Sequence, residues 1–176
     1  VISTNVESAE PEQVHLATNG IPREMVVQWG TEEDTTAFCN SDNTVEYGTS
    51  QDSLNFSEEG NDDMYLWTTC THTTILSGLT SNTTYYYRVG GSGEWSDVFS
   101  FKTLEENPES IQIGAIADHG TSSNAQETTS KMVPVDFDLV IHAGDISYAN
   151  GAGSGNGIGD QSVWDEYQNQ IEMIAS

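Results

Sequence analysis

Two short apolar runs that each end in an aspartate constrain this chain more than any other feature. The first reads IQIGAIADHG and ends at Asp118; the second reads DLVIHAGDISY and leads to Asp145. Between them lies a polar, helix-compatible segment that begins with Ser and Asn caps. Strand, helix and strand within about 35 residues predict a βαβ unit with parallel strands. Parallel strands end at one edge of the sheet, where open α/β folds hold their ligands.

The chain continues from this unit into a loop and a helix. Residues 149–159 are rich in Gly, Ser and Asn and predict a loop. The segment Val163–Ala175 carries apolar residues at helical spacing. This spacing predicts an amphipathic helix that packs on the sheet.

The first half shows a different pattern of short strand-like runs separated by turn residues. The predicted strands are 13–17, 24–29, 44–47, 71–76, 84–89 and 98–103. Even spacing of short strands is typical of an antiparallel β-sandwich. Alternation within the strands places Val27 and Trp29 on one face, and Tyr85, Tyr87 and Val89 on one face of another strand.

The run LTSNTTYYYRV carries a more specific signal. A leucine, a tight polar turn and then Tyr85 resemble the tyrosine corner of fibronectin type III domains, where the hydroxyl bonds back to the turn backbone. We therefore predict two domains, a fibronectin type III-like sandwich over 1–104 and an incomplete α/β domain over 111–176. The acidic, proline-containing segment 105–110 is the predicted linker.

The charge of the chain limits its partners. Its formal net charge of −24 leaves no basic footprint for nucleic acid and repels anionic membranes. Such acidity is typical of the solvating surface of a secreted or salt-exposed protein. The sequence also contains no run of 18 apolar residues, so it predicts no membrane span.

The cysteines and sequons favour an oxidising secretory route. Cys39 and Cys70 are too few for a zinc site and are predicted to form a disulfide. Asn55 and Asn82 begin N-x-S/T triplets and are candidate glycosylation sites. The first residue, Val1, is not a methionine, so we expect that a signal peptide has been removed.

Asp118, Asp145 and Tyr148 are the candidate metal ligands. Carboxylates are hard anionic ligands, and strand ends hold them in fixed geometry. Tyr148 follows Asp145 closely enough to reach the same place, and a phenolate favours a strongly Lewis-acidic ion such as ferric iron. The alternative is that both aspartates cap turns and Tyr148 packs on the loop.

Together, the blocks Asp118-His119-Gly120 and Gly144–Tyr148 resemble those of the purple acid phosphatases, in the calcineurin-like metallophosphoesterase superfamily. That family also carries a fibronectin-like amino-terminal domain. The resemblance implies that Asp118 and Tyr148 bind Fe(III) and that Asp145 bridges it to a divalent Zn, Fe or Mn. It implies hydrolysis of phosphate monoesters at acidic pH. His119 stands next to a ligand and could lie behind it.

The chain departs from the family after its last predicted helix. The G-N-H-E/D block and the later histidine blocks are missing, and three oxygen ligands do not complete a binuclear site. We therefore expect an amino-terminal part that is inactive alone and is completed by a carboxyl-terminal half or another chain, with a homo-oligomer as a further option. The alternative function is a non-enzymatic secreted glycoprotein that uses the scaffold for structural assembly or adhesion, which the acidic surface favours.

Overall fold

The computed structural model describes residues 10–32, 39, 43–65, 69–91, 93–150 and 159–176. The chain forms two compact units, of which the first ends at Glu106 and the second begins at Asn107. Within the described ranges, no helix combines the length and the apolar character needed to cross a membrane.

The first unit consists of two antiparallel sheets. Its strands are β1 (Glu12–Ala17), β2 (Met25–Glu32), β3 (Thr44–Gly48), β4 (Phe56–Glu59), β5 (Asn61–Tyr65), β6 (Thr69–Leu76), β7 (Thr84–Gly91), β8 (Glu94–Trp95) and β9 (Phe99–Lys102). One sheet has the order β1-β2-β6-β5; the other has the order β4-β3-β7-β8, with β9 also paired to β7.

The six strands predicted in this unit are confirmed, and three further strands were missed. The missed strands are β4, β5 and β8, whose sequences FSEE, NDDMY and EW lack apolar alternation. Each of them lies at the end of its strand order, so only one neighbour pairs with it. Edge strands in natural proteins are often short and charged, which removes the pattern that identifies them in a sequence.

Residues from both sheets share one hydrophobic core. Val27, Trp29, Tyr87 and Val89 are at most 1% exposed, and both predictions of strand alternation are confirmed. The core cluster also contains Val14, Val45, Tyr47, Leu76, Leu79, Tyr85 and Phe101. Burial of these side chains, at about 25 cal/mol per Å² of apolar surface, is the main force that holds the sheets together.

Two local constraints close this unit. The backbone N–H of Thr80 donates to the Tyr85 hydroxyl over 3.0 Å, which confirms the predicted tyrosine corner contact. A disulfide joins Cys39 to Cys70, the latter fully buried in β6. The bridge closes a loop across a sequence separation of 31 residues and thereby restricts the unfolded chain.

The second unit contains β10 (Ile113–Ile116), α1 (Ser123–Met132), β11 (Leu139–His142) and α2 (Gln161–Ala175). β10 and β11 pair in parallel, with Ile113 opposite Leu139. This confirms the βαβ pattern inferred from the two apolar runs. The Ser122 side chain caps α1, and the Asp160 side chain caps α2.

Close packing brings α1 onto the strands. Ala125, Thr129 and Met132 form its buried face. A Cβ atom at Gly114 of β10 would lie 3.2 Å from the Phe137 ring and 3.3 Å from Met132, so a larger residue would displace them. The predicted amphipathic helix α2 is also confirmed, although Tyr167 is its one fully buried residue.

Candidate metal centre

The two strand-end loops lie side by side because backbone hydrogen bonds continue between them beyond the strands. The N–H of Asp118 donates to Gly144 O over 3.3 Å, and that of His119 donates to Asp145 O over 3.2 Å. The N–H of Gly120 then donates to Ile146 O over 2.8 Å. These bonds hold both aspartates at the same edge, as the parallel pattern predicted.

Unusual backbone conformations mark the three candidate ligands. Asp118, Asp145 and Tyr148 have φ angles of 50°, 47° and 57°. Within the described part of the second unit, no other non-glycine residue has a positive φ. Aspartate adopts this region at modest cost, whereas a bulky residue there is a genuine outlier. Strain of this kind is found at functional sites, where it aims side chains that regular structure would point elsewhere.

The structure brings all three candidate side chains together. The Tyr148 hydroxyl donates to Asp118 Oδ1 over 2.7 Å, and a longer contact of 3.5 Å reaches Asp145 Oδ2. Tyr148 is 48% exposed, so this group of oxygen atoms opens to solvent. The role of the three side chains as metal ligands stays a prediction.

The carboxylates of Asp118 and Asp145 control the pKa of the Tyr148 phenol. The hydrogen bond to Asp118, with partial desolvation and the negative charges of Asp118 and Asp145, raises the pKa of Tyr148 to about 12. The phenol therefore keeps its proton and donates it to the carboxylates. A cation among the three oxygens would reverse this balance, because it would stabilise the phenolate and both carboxylates together.

The donor set fits a hard, highly charged cation. It consists of two carboxylates and one phenol, and oxygen donors of this kind suit hard cations. In the part of the chain that the structure describes, no three or more His, Cys, Asp or Glu side chains form a metal-binding group. The third donor of this site is a tyrosine, which lies outside that set of residue types.

Gly120 leaves the space that the Tyr148 ring occupies. Its φ is 62°, and a Cβ atom on it would lie 3.1 Å from Tyr148 Cδ2. A side chain at this position would be strained by its backbone and would also press on the ring. This contact gives the glycine of the first block and the tyrosine of the second a shared physical reason.

His119 lies beneath the loop and not at its open edge. It is 7% exposed, and its Nε2 lies 2.8 Å from Thr129 Oγ1 on α1. Burial, and secondarily the nearby His142, lower the pKa of His119, so the ring stays neutral at lower pH than a free histidine. Its side chain anchors the Asp118 loop to α1.

A group of side chains that the sequence did not predict connects α2 to these loops. The Tyr167 hydroxyl lies 2.6 Å from His142 Nδ1, and Gln170 Nε2 donates to Gly120 O over 3.2 Å. In the sequence, His142 lies within an apolar run and Tyr167 within the apolar stripe of the predicted helix, so neither stands out. The available signal was Gln170, a polar residue three positions after Tyr167 and therefore on the same helix face.

The two candidate glycosylation sites lie in the first unit. Asn55 and Asn82 are both exposed, and Asn82 Nδ2 donates to Glu105 over 2.9 Å. A cavity of about 400 Å³ opens beside the site and is lined in part by Ile146, Tyr148 and Trp164. Its lining includes Asp145 and Tyr148, two of the three candidate ligands.

An all-β unit of two packed sheets is followed by a parallel βαβ unit with exposed acidic strand ends. Residues 11–103 match the family model described as purple acid phosphatase, N-terminal domain. The chain belongs to the purple acid phosphatase family.

Individual relatives agree with this assignment. The chain is 26% identical over 178 residues to acid phosphatase type 7 of Danio rerio, covering 95% of this chain and 37% of that protein. It is 30% identical over 172 residues to purple acid phosphatase 23 of Arabidopsis thaliana, covering 83% of this chain and 37% of that protein. The chain thus spans about a third of the length of these curated relatives.

A solved structure shows the same fold. The purple acid phosphatase PPD1 from yellow lupin (Lupinus luteus) seeds superimposes with a TM-score of 0.78 at 24% sequence identity. The match covers 95% of this chain and 34% of the lupin chain. Similarity at this level of identity concerns the fold alone.

Proposed function

We propose that the full-length protein is a secreted metal-dependent phosphatase that hydrolyses phosphate monoesters at a binuclear metal centre. The observation that carries this proposal is the convergence of Asp118, Asp145 and Tyr148 around the Tyr148 hydroxyl. Membership of the purple acid phosphatase family supports it. Because the relatives that match are phosphatases, the enzyme is favoured over a protein of structural assembly.

Asp118 and Tyr148 would hold Fe(III), and Asp145 would bridge it to a divalent Zn, Fe or Mn ion. Such a metal pair supplies Lewis acidity toward the phosphoryl oxygens and an activated water as nucleophile. The metals would also offset the acidity of the chain locally, which an anionic substrate requires. The remaining ligands would come from protein outside these 176 residues, either the carboxyl-terminal half or a complementing chain.

The residues of this chain contribute geometry and charge. The carboxylates of Asp118 and Asp145 bring negative charge to one strand edge, and Tyr148 adds a phenol whose proton a metal would displace. The left-handed backbone at all three positions sets their directions before a ligand arrives. His119, bonded to Thr129, would hold the Asp118 loop from behind.

The two units would be two separate domains. We infer that residues 1–104 form a fibronectin type III-like domain, supported by the two-sheet core and the Tyr85 corner. Residues 105–110 would be the linker, and 111–176 the first part of a metallophosphoesterase domain. The disulfide and the exposed Asn55 and Asn82 sequons support the secretory route.

The decisive test is the colour of the protein. The purified full-length protein should show a tyrosinate-to-iron charge-transfer band, and Tyr148→Phe should abolish it together with activity on a phosphate monoester. Tyr86→Phe, at a half-buried residue of β7 in the first unit, should leave the band intact. A colourless, iron-free wild-type protein would contradict the proposal.

A further inference from the structure

We propose that Tyr167 and Gln170 are positioning residues through which helix α2 holds the two strand-end loops at the spacing that brings Tyr148 onto Asp118. This inference rests on the proposed function, because it assigns these two side chains to the same metal centre. Neither residue touches the three candidate ligands directly.

Tyr167 connects α2 to the strand that carries Asp145. It is 2% exposed, and its hydroxyl lies 2.6 Å from Nδ1 of His142, the last residue of β11. Burial raises the pKa of Tyr167 to about 12, so the hydroxyl remains protonated. Donation from the hydroxyl to Nδ1 satisfies both groups and places the single ring proton of His142 on Nε2. The contact therefore fixes the end of β11, three residues before Asp145.

Gln170 connects the same helix to the loop that carries Asp118. Its Nε2 donates to Gly120 O over 3.2 Å, two residues after Asp118. Gly120 is also the residue whose missing Cβ leaves the space for the Tyr148 ring. A shift of the Gly120 peptide would therefore move the surface against which the Tyr148 ring packs. The hydrogen bond from Gln170 therefore supports both the loop that carries Asp118 and the surface against which the Tyr148 ring packs.

The unsatisfied atoms of this network favour positioning over stability. Gln170 Oε1 and His142 Nε2 are buried without a hydrogen-bond partner among the residues that the structure describes. A buried polar atom without a partner destabilises the folded state, and an apolar side chain of similar shape avoids this penalty. Departures from such rules are expected where a residue serves a site. The bond to Gly120 gives Gln170 a role that an apolar residue of similar shape would lack.

The two contacts also have a common geometry. Tyr167 and Gln170 are three residues apart, so they lie on one face of α2. One side chain reaches β11 and the other reaches the loop after β10, so a single helix contacts both from behind and reinforces the backbone hydrogen bonds that join the two loops. Rigid elements hold site geometry more precisely than loops do, and outer hydrogen bonds of this kind tune metal affinity.

The test uses the full-length protein loaded with iron. Gln170→Leu and Tyr167→Phe should shift and broaden the tyrosinate charge-transfer band and lower the apparent iron affinity about tenfold, the lower end for outer hydrogen bonds. The matched controls are Gln168→Leu, the same change on a different face of α2, and Tyr86→Phe in the first unit. Both controls should keep the wild-type band and affinity.

The outcomes separate this inference from the proposal beneath it. A wild-type band that both Gln170→Leu and Tyr167→Phe leave unchanged, with iron affinity within twofold of the controls, overturns the positioning role and leaves the proposed function standing. A wild-type protein without the band removes both. If one variant fails to fold, the other decides, since Tyr167→Phe removes a single hydroxyl and Gln170→Leu keeps the side-chain volume.

Discussion

Two tyrosines that follow turns show how the two units of this chain differ. In the first unit, Tyr85 is buried and accepts a hydrogen bond from the backbone of its own turn. In the second unit, Tyr148 is exposed, has a left-handed backbone and donates to a carboxylate. A tyrosine is therefore part of the buried core in the first unit and part of a solvent-exposed, charged group in the second.

This difference has a physical basis in what surrounds each hydroxyl. The Tyr85 ring is enclosed by Tyr47 and Phe101, so its energy comes from burial and one satisfied hydrogen bond. Tyr148 stands between two acidic groups, an arrangement that disfavours its charged form until a cation is present. A change at Tyr85 should therefore affect stability, whereas changes around Tyr148 should affect metal binding and activity.

The largest expected effect is that of Asp145→Asn. Loss of the carboxylate charge should lower activity on a phosphate monoester about 1,000-fold, since outer partners alone contribute 10–100-fold to metal sites. Metal content and initial rates on the full-length protein measure this. Asp136→Asn, at an exposed acid of the same unit, should leave both unchanged. Equal rates for the two variants would contradict a role for Asp145 in the centre.

A pair of glycine variants separates backbone strain from displacement of the Tyr148 ring. Gly120→Ala and Gly78→Ala both place a Cβ at positive φ, 62° and 69°, and each should lower the free energy of unfolding by about 1–2 kcal/mol. A Cβ at Gly78 meets no atom within 4 Å, whereas one at Gly120 lies 3.1 Å from the Tyr148 ring. Only Gly120→Ala should therefore alter the charge-transfer band. An identical band in both variants would show that Gly120 makes no room for Tyr148.

The smallest expected effect on the metal centre is that of a change in the first unit. Tyr85→Phe leaves the Thr80 N–H without its partner and should lower the free energy of unfolding by about 1–2 kcal/mol, with activity unchanged. Denaturant titration of the full-length protein, monitored by a spectroscopic signal of the first unit, measures this change in the free energy of unfolding. Tyr86→Phe on the opposite face of β7 should change stability by less than about 0.5 kcal/mol. Equal effects for the two variants would show that the hydrogen bond between Thr80 and Tyr85 does not stabilise this unit.

Much of the fold could be predicted because burial leaves a periodic record in the sequence. The alternating residues of β2 and β7 identified the inner faces of the first unit, and the two apolar runs identified the parallel pair. The edge strands β4 and β5 could not be predicted in this way, because solvent on one side allows the charged residues of FSEE and NDD. The same holds for β8, which is only two residues long.

The candidate site divides in a similar way. Asp118, Asp145 and Tyr148 could be named from the sequence, because strand ends and glycine neighbours mark where side chains meet at a sheet edge. The sequence could not show that all three share a left-handed backbone or that Tyr148 donates to Asp118 at 2.7 Å. It also did not reveal the side chains of α2 that contact the loops from behind, since helical periodicity treats Tyr167 as one more buried residue.

The sequence by itself therefore determined the family, the two-part organisation and the identity of the acidic strand ends. These follow from local patterns and from spacing along the chain. Only the tertiary structure decided how the Tyr148 hydroxyl meets its carboxylates, why Gly120 must lack a side chain, and which residues of α2 reach the loops. Those facts depend on distances between segments far apart in the chain, which the order of residues alone does not contain.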